Sequence, residues 1–132
     1  HCPLTPESYH VIGKETLSMM KDGAVLINTA RGGLVDHAAV LEALESGKLS
    51  GFAFDVYENE AAFVRKKKTL DEINDPTFAA LLARDNAIYS PHVAFYTDGA
   101  IYSMIEVTLD NLRQYQTTGA CRNEIKEEAG PV

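Results

Sequence analysis

Tryptophan is absent from this chain of 132 residues, and cysteine occurs only twice. Cys2 and Cys121 form neither a disulfide framework nor a metal-ligand spacing. That argues against a stapled secreted scaffold and against a zinc module, and makes a reducing, cytoplasmic compartment the expected one. Positive charge is also short: 12 Lys and Arg face 19 Asp and Glu, for a formal net charge of −7. Binding to a phosphate backbone draws on clustered cations, so no nucleic-acid partner is expected. The one basic run, "RKKK" at 65–68, reads as a solvated loop face. No apolar stretch approaches the roughly 20 residues of a membrane helix, and no leader peptide is legible, so no membrane partner is expected. Internal repeats and low-complexity tracts are missing too. The chain opens on His rather than Met, and its first residues read as the middle of a longer sequence, which suggests a fragment.

What is present is a hydrophobic share of 45%, enough for one ordinary core and, at this length, for no more than one domain. Apolar runs and breakers alternate. "KETLSMMKDG" has helical spacing at Leu17 and Met20 with flanking Ile12, closing at Gly23, and "AVLINTA" reads as a short buried strand. "DHAAVLEALESG" offers Asp36 as N-cap, Val40, Leu41 and Leu44 on one face, and Gly47 as stop. "LSGFAFDV" is a second strand. Thr69 to Glu72 reads as a capping box, and Asp75 with Pro76 as N-cap and first helical position before "TFAALLAR". A third strand follows at "AIYSP". Ile101, Ile105, Thr108, Leu112 and Tyr115 then mark a long amphipathic helix opening near Thr97 or Asp98 and ending by Gly119, with an acidic tail beyond. The expected division is a folded part at 1–119 and a tail at 120–132.

Strands alternating with helices point to parallel pairing in an open α/β layer structure. Ligands of such sheets bind beyond the carboxyl ends of the strands, here near 29–33, 55–60 and 91–96. Arg31, Asp55, Glu58, Glu60 and His92 would converge there. An arginine can grip a planar carboxylate through two parallel hydrogen bonds. Gly32 and Gly33 would let the backbone turn and approach a ligand, and the helix after Asp36 would aim its positive end at the same crevice. The plainer reading of Arg31 is a surface residue paired with Asp36 or another carboxylate. His92 is either a packed histidine or, paired with Glu58 or Glu60, a proton donor. Asp55 either caps the next turn or accepts a hydrogen bond from a cofactor amide. His10 and His37 are expected on solvent faces.

The stretches "HCPLTPES", "MKDGAVLINTARGGLVD", "GFAFDVYENE" and "PHVAFYT" resemble, in order and spacing, the second half of the nicotinamide-binding domain of the D-isomer-specific 2-hydroxyacid dehydrogenases. The likeness is strongest to the D-lactate dehydrogenase branch and covers residues 1 to about 124. It implies a partial Rossmann-like parallel sheet with a long C-terminal helix, NAD as cofactor, and a small 2-oxo or 2-hydroxy acid as substrate. By the resemblance, Arg31 binds the carboxylate and carbonyl of the 2-oxo acid, His92 is the acid/base, and Glu60, five residues after Asp55, is the carboxylate that pairs with it. Asp55 is similar to the aspartate beside the nicotinamide amide. His1, Cys2, Pro3, Thr29 and Ala30 fall where the family lines the cofactor, and Phe95 and Tyr96 where aromatic residues border the substrate.

The sequence departs from the family pattern at one point: none of its glycines has the G-x-G-x-x-G spacing that cradles a pyrophosphate. The family's N-terminal substrate domain is likewise not among these residues, so the chain alone is expected to bind NAD weakly and to be inactive. Other branches of the family (branched-chain, vancomycin-resistance-type or phosphoglycerate), a corepressor using the same fold, and an inert oligomerising module are the alternative readings. Exposed sheet edge and helix face make a homo-oligomer the expected state.

Overall fold

A computed structural model describes residues 2–62 and 72–125. His1, the basic run at 65–68, all of the 69–72 capping box except Glu72, and the tail from 126 onward lie outside the described residues. The elements are α1 (Lys14–Met19), β1 (Ala24–Asn28), a 3-10 turn (Gly32–Leu34), α2 (His37–Glu45), β2 (Leu49–Phe54), a 3-10 turn (Glu60–Ala62), α3 (Pro76–Leu82), β3 (Ala87–Tyr89) and α4 (Asp98–Thr118).

Local chemistry sets most of these boundaries. The Asp36 carboxylate accepts a hydrogen bond from the Ala39 amide, and Asp75 does the same for Phe78 one residue before Pro76 at the first helical position. The Thr97 hydroxyl accepts from Ala100, and α4 stops at Gly119, whose φ of 74° closes the helix in the left-handed region. The first helix ends sooner than its sequence suggests: Met20 is already extended.

The three strands form one parallel sheet in the order β1-β2-β3, with a register irregularity between Ala24 and Val25. Helices α2 and α3 pack on the sheet and on each other. Between helices and sheet lies the core, in which Phe52 and Phe54, two apart on one face of β2, stack at 4.7 Å and Phe54 meets Phe78 edge to face. Val40, Leu44, Leu49 and Leu81 complete it.

β1 is buried on one side only, contrary to its reading as a buried strand. Val25 and Ile27 are 63% and 66% exposed, as is Ile88 on β3 at 69%. Side chains alternate across a strand, and both crossover helices take the other face, so among the described residues nothing covers this one. His37 is a second correction. Its position opening α2 suggests solvent, but the first helical turn lies over Phe52, Phe54 and Tyr57, and the imidazole is 4% exposed among their rings. Among the described residues neither ring nitrogen has a hydrogen-bond partner. Burial pushes its pKa down to about 4.

The chain divides into two units, His1–Ala94 and Phe95–Val132. In the second, α4 has no buried residue, and Ile105, Leu109 and Leu112 are exposed along it. Among the described residues no helix is long and apolar enough to cross a membrane.

Candidate active site

Parallel pairing brings the carboxyl ends of the strands to one edge, and the backbone extends the pattern past each strand. The Asp55 amide donates to Asn28 O at 3.0 Å, the Ser90 amide to Phe54 O at 3.0 Å, and the His92 amide to Asp55 O at 2.8 Å. The loops that follow β1, β2 and β3 are therefore held side by side, and each carries predicted site residues.

After β1, the Asn28 side chain turns back on its own loop. Its amide nitrogen donates to Arg31 O at 2.9 Å and its oxygen accepts from the Ala30 amide at 3.1 Å. This fixes residues 29–31 in an Asx-type turn. Arg31 itself is extended and exposed, with Nη1 donating to Ala30 O at 2.7 Å. Among the described residues it makes no ion pair with Asp36 or any other carboxylate. Cys2, Pro3, Thr29, Ala30 and Arg31, with Leu4, line one open cleft of about 620 Å³. Both cysteines are free thiols.

Gly32 and Gly33 serve a different purpose from ligand approach. Both are buried, and a Cβ on Gly32 would stand 2.1 Å from Tyr57 C and 2.3 Å from Glu58 N. The missing side chain lets the loop after β1 lie directly against the backbone after β2. A Cβ on Gly33 would stand 3.0 Å from the Leu4 side chain. Nor is the start of α2 an open positive end, because the Asp36 carboxylate takes up its Ala39 amide.

After β2, Asp55 is 4% exposed and accepts from Ser90 Oγ at 2.5 Å, the Val93 amide at 3.0 Å and the Ala94 amide at 3.0 Å. Burial pushes the carboxyl up, but these bonds, with His92 beside it, more than offset that and hold it below the usual range. A carboxylate offers about four acceptor sites, so one remains for a further donor.

The partner of His92 is Glu60. His92 Nδ1 lies 2.6 Å from Glu60 Oε1, and the other oxygen, Oε2, accepts from the Tyr57 amide at 2.8 Å. With the carboxylate held at both ends, the imidazole has one favoured orientation and carries its proton on Nδ1. His92 has φ of 55°, left-handed backbone that a non-glycine residue adopts at a cost of about 1–2 kcal/mol. The two accepted amide bonds to Asp55 and the Glu60 pair are what hold it there.

Glu58, the other candidate, points elsewhere. Its Oε1 accepts from Tyr9 Oη at 2.5 Å and its Oε2 lies 3.1 Å from His10 Nε2. Burial pushes the Glu58 carboxyl up, yet the bonds from Tyr9 and His10 outweigh it and keep it below the usual range. His10, expected on a solvent face, is thus half-buried, because segment 10–12 runs against 33–35: the His10 amide donates to Gly33 O at 2.8 Å and the Ile12 amide to Leu34 O at 3.0 Å.

In the second unit, Phe95 and Tyr96 meet edge to face with ring centres 6.1 Å apart, and Tyr96 is 74% exposed. No group of three or more His, Cys, Asp or Glu among the described residues could hold a metal ion. Asn28, Ser90 and the Tyr57 amide are structural supports that the sequence reading passes over. The signal for Asn28 was present, a lone amide closing an apolar strand; for Ser90 and Tyr57 it was not.

Comparison with known proteins gives this arrangement its context. Residues 1–94 match the family described as D-isomer specific 2-hydroxyacid dehydrogenase, NAD binding domain. The chain is 44% identical over 124 residues to an aromatic 2-oxoacid reductase of Clostridium sporogenes, covering 94% of this chain and 38% of that protein. It is 41% identical to a D-lactate dehydrogenase of Treponema pallidum, whose crystal structure matches with a TM-score of 0.89 over 96% of this chain and 38% of that one. An NAD-complexed D-isomer specific 2-hydroxyacid dehydrogenase of Lactobacillus delbrueckii ssp. bulgaricus matches at 32% identity and a TM-score of 0.89, over 96% and 38% of the two chains. The chain thus spans about 38% of the length of these relatives. Its Rossmann-like sheet and its sequence agree: the chain belongs to the D-isomer specific 2-hydroxyacid dehydrogenase family, within the NAD-binding domain.

Proposed function

We propose that this chain supplies the proton-transfer and carboxylate-binding half of an NAD-dependent reduction of a short 2-oxo acid to its D-2-hydroxy acid. The observation that carries the reading is the His92–Glu60 pair at 2.6 Å on the same sheet edge as Arg31, which has no ion pair among the described residues. Reduction adds a hydride to the carbonyl carbon and a proton to its oxygen. NAD in its reduced form supplies the hydride when bound.

The chain's own residues do the rest. Glu60 holds the Nδ1 proton of His92; in the imidazolium form the ring gives its Nε2 proton to the carbonyl oxygen and becomes neutral, and in the reverse direction the neutral ring takes that proton back at Nε2. General acid catalysis of this kind is worth about 10²–10⁴ in rate. Arg31 has no carboxylate partner among the described residues, so its guanidinium is available to hold the substrate carboxylate and to stabilise charge on the carbonyl. Asp55 braces the 90–94 loop and keeps one acceptor site for the cofactor amide. The 620 Å³ cleft beside Arg31 suits the nicotinamide end of the cofactor. Without a glycine fingerprint, these residues offer no pyrophosphate cradle. Phe95 and Tyr96 stand as substrate-side residues on the resemblance alone.

Pyruvate is the substrate we favour, giving D-lactate. A bulkier aromatic 2-oxo acid is the second reading, because a relative at 44% identity is an aromatic 2-oxoacid reductase. Initial rates of NADH oxidation, measured on a full-length enzyme carrying this segment with pyruvate, phenylpyruvate and branched 2-oxo acids, test both. The reading requires a 2-oxo acid to be reduced to the D product; absence of turnover across the panel would refute it. The 132-residue chain alone is expected to turn over far more slowly, and a rate equal to the full-length enzyme's would overturn the proposed incompleteness.

A further inference from the structure

Tyr9, His10 and Glu58 form a second His-carboxylate cluster that the proposed chemistry does not use. The two oxygens of one carboxylate are divided between two neighbouring side chains, Tyr9 Oη at 2.5 Å and His10 Nε2 at 3.1 Å. The Tyr9 and His10 rings stack with centres 3.9 Å apart and planes 16° from parallel. His10 takes left-handed backbone, φ 52°, so two consecutive side chains reach the same acceptor. The His10 and Glu58 side chains are each 30% exposed and Tyr9 is 51% exposed, so the cluster sits at the surface with the carboxylate held between its two partners.

Its position in the chain is informative. Residues 2–4 form one wall of the cleft beside Arg31, and Leu4 and Tyr9 both pack over Gly33. Glu58 stands between the Tyr57 amide that holds Glu60 and the Glu60 carboxylate that holds His92. Its own backbone rests on Gly32, with no room for a Cβ between them. The Glu58 carboxylate therefore ties Tyr9 and His10, whose segment is joined to the cleft wall through the Ser8 hydroxyl bond to Pro3 O at 2.8 Å, to the loop that carries Glu60.

We propose that Tyr9, His10 and Glu58 are positioning residues: a latch that sets the cofactor-side wall at residues 2–4 against the Glu60–His92 pair. The inference rests on the cofactor reading of the cleft given above. Loosening the latch frees the wall without removing any group that meets the substrate. Its signature is a rise in KM for NADH with KM for the 2-oxo acid little changed. A role confined to stability would lower Tm and leave both KM values alone.

The test uses a full-length enzyme carrying this segment, with Tyr9→Phe, Glu58→Gln and Glu58→Asp compared with the parent. Tyr9→Phe removes one hydroxyl from an exposed ring and is expected to fold even where the Glu58 variants do not. The latch predicts that Tyr9→Phe and Glu58→Gln each raise KM for NADH about tenfold, with KM for pyruvate within twofold, and that Glu58→Asp restores part of the loss. Unchanged KM for NADH in folded Tyr9→Phe, in an enzyme whose parent reduces a 2-oxo acid with NADH, would overturn the latch alone. A parent that reduces no 2-oxo acid with NADH would instead overturn the cofactor reading and the latch with it.

Discussion

Replacing His37 with leucine, a side chain of similar volume with no polar atom, should change how stability depends on pH. The imidazole is 4% exposed, sits against Phe52, Phe54 and Tyr57, and has no hydrogen-bond partner on either nitrogen among the described residues. Its pKa falls from 6.5 to about 4 on folding, chiefly through burial, with Glu58, Asp36 and Asp75 acting against the shift and His10 with it. Between those values the unfolded chain binds the proton and the folded chain does not, so stability falls as pH falls through this window. A displacement of about two and a half pH units, at roughly 1.4 kcal/mol each, amounts to about 3 kcal/mol lost between pH 6.5 and 4. At neutral pH the leucine variant should be more stable by about 1 kcal/mol, because an unsatisfied polar group no longer lies in the core. Urea unfolding of both proteins at closely spaced pH values from 7.5 to 4 measures the difference. Other titrating groups are common to both and cancel. A parent-minus-variant difference that stays flat across the window would refute the burial of a neutral, unpartnered imidazole.

Three further outcomes follow from the same geometry. Arg31→Lys in a full-length enzyme should raise KM for the 2-oxo acid by one to two orders of magnitude while sparing NADH, since an ammonium cannot reproduce the two parallel bonds; an unchanged KM would remove Arg31 from substrate binding. Gly32→Ala should cost at least about 1–3 kcal/mol in urea unfolding, because its Cβ would fall 2.1 Å from Tyr57 C, whereas Gly99→Ala, with nothing within 4 Å, should be neutral or slightly stabilising. Light scattering of the chain should show self-association that weakens when Ile105, Leu109 and Leu112, exposed on α4, are replaced by polar residues; a monomer at high concentration would contradict it.

The helix caps at Asp36, Asp75 and Thr97 were legible because capping is settled within three residues of sequence, and the parallel order of the strands because element alternation leaves few topologies. Tertiary packing was less legible. Val25 and Ile27 are as apolar as any core residue, and only the placement of both crossover helices on one face reveals that they are exposed. His37 looked like a surface residue because polarity was the only local signal, while the rings that enclose it come from β2 and the turn after it. Glu58 and Glu60 are two residues apart with the same chemistry; which of them meets His92 depends on a 3-10 turn that begins at Glu60. The glycine pair marked the right loop for a reason that sequence did not supply, since the close neighbour of Gly32 is the chain's own backbone.

The central claim is that His92, oriented by Glu60, exchanges the proton of the substrate oxygen. Its most direct test is the single-turnover rate of 2-oxo acid reduction by NADH in a full-length enzyme carrying this segment with His92→Gln, alongside NADH affinity by fluorescence. The account predicts a rate reduced by about 10²–10⁴ with NADH affinity within a few-fold of the parent's. A rate within threefold of the parent's would contradict it.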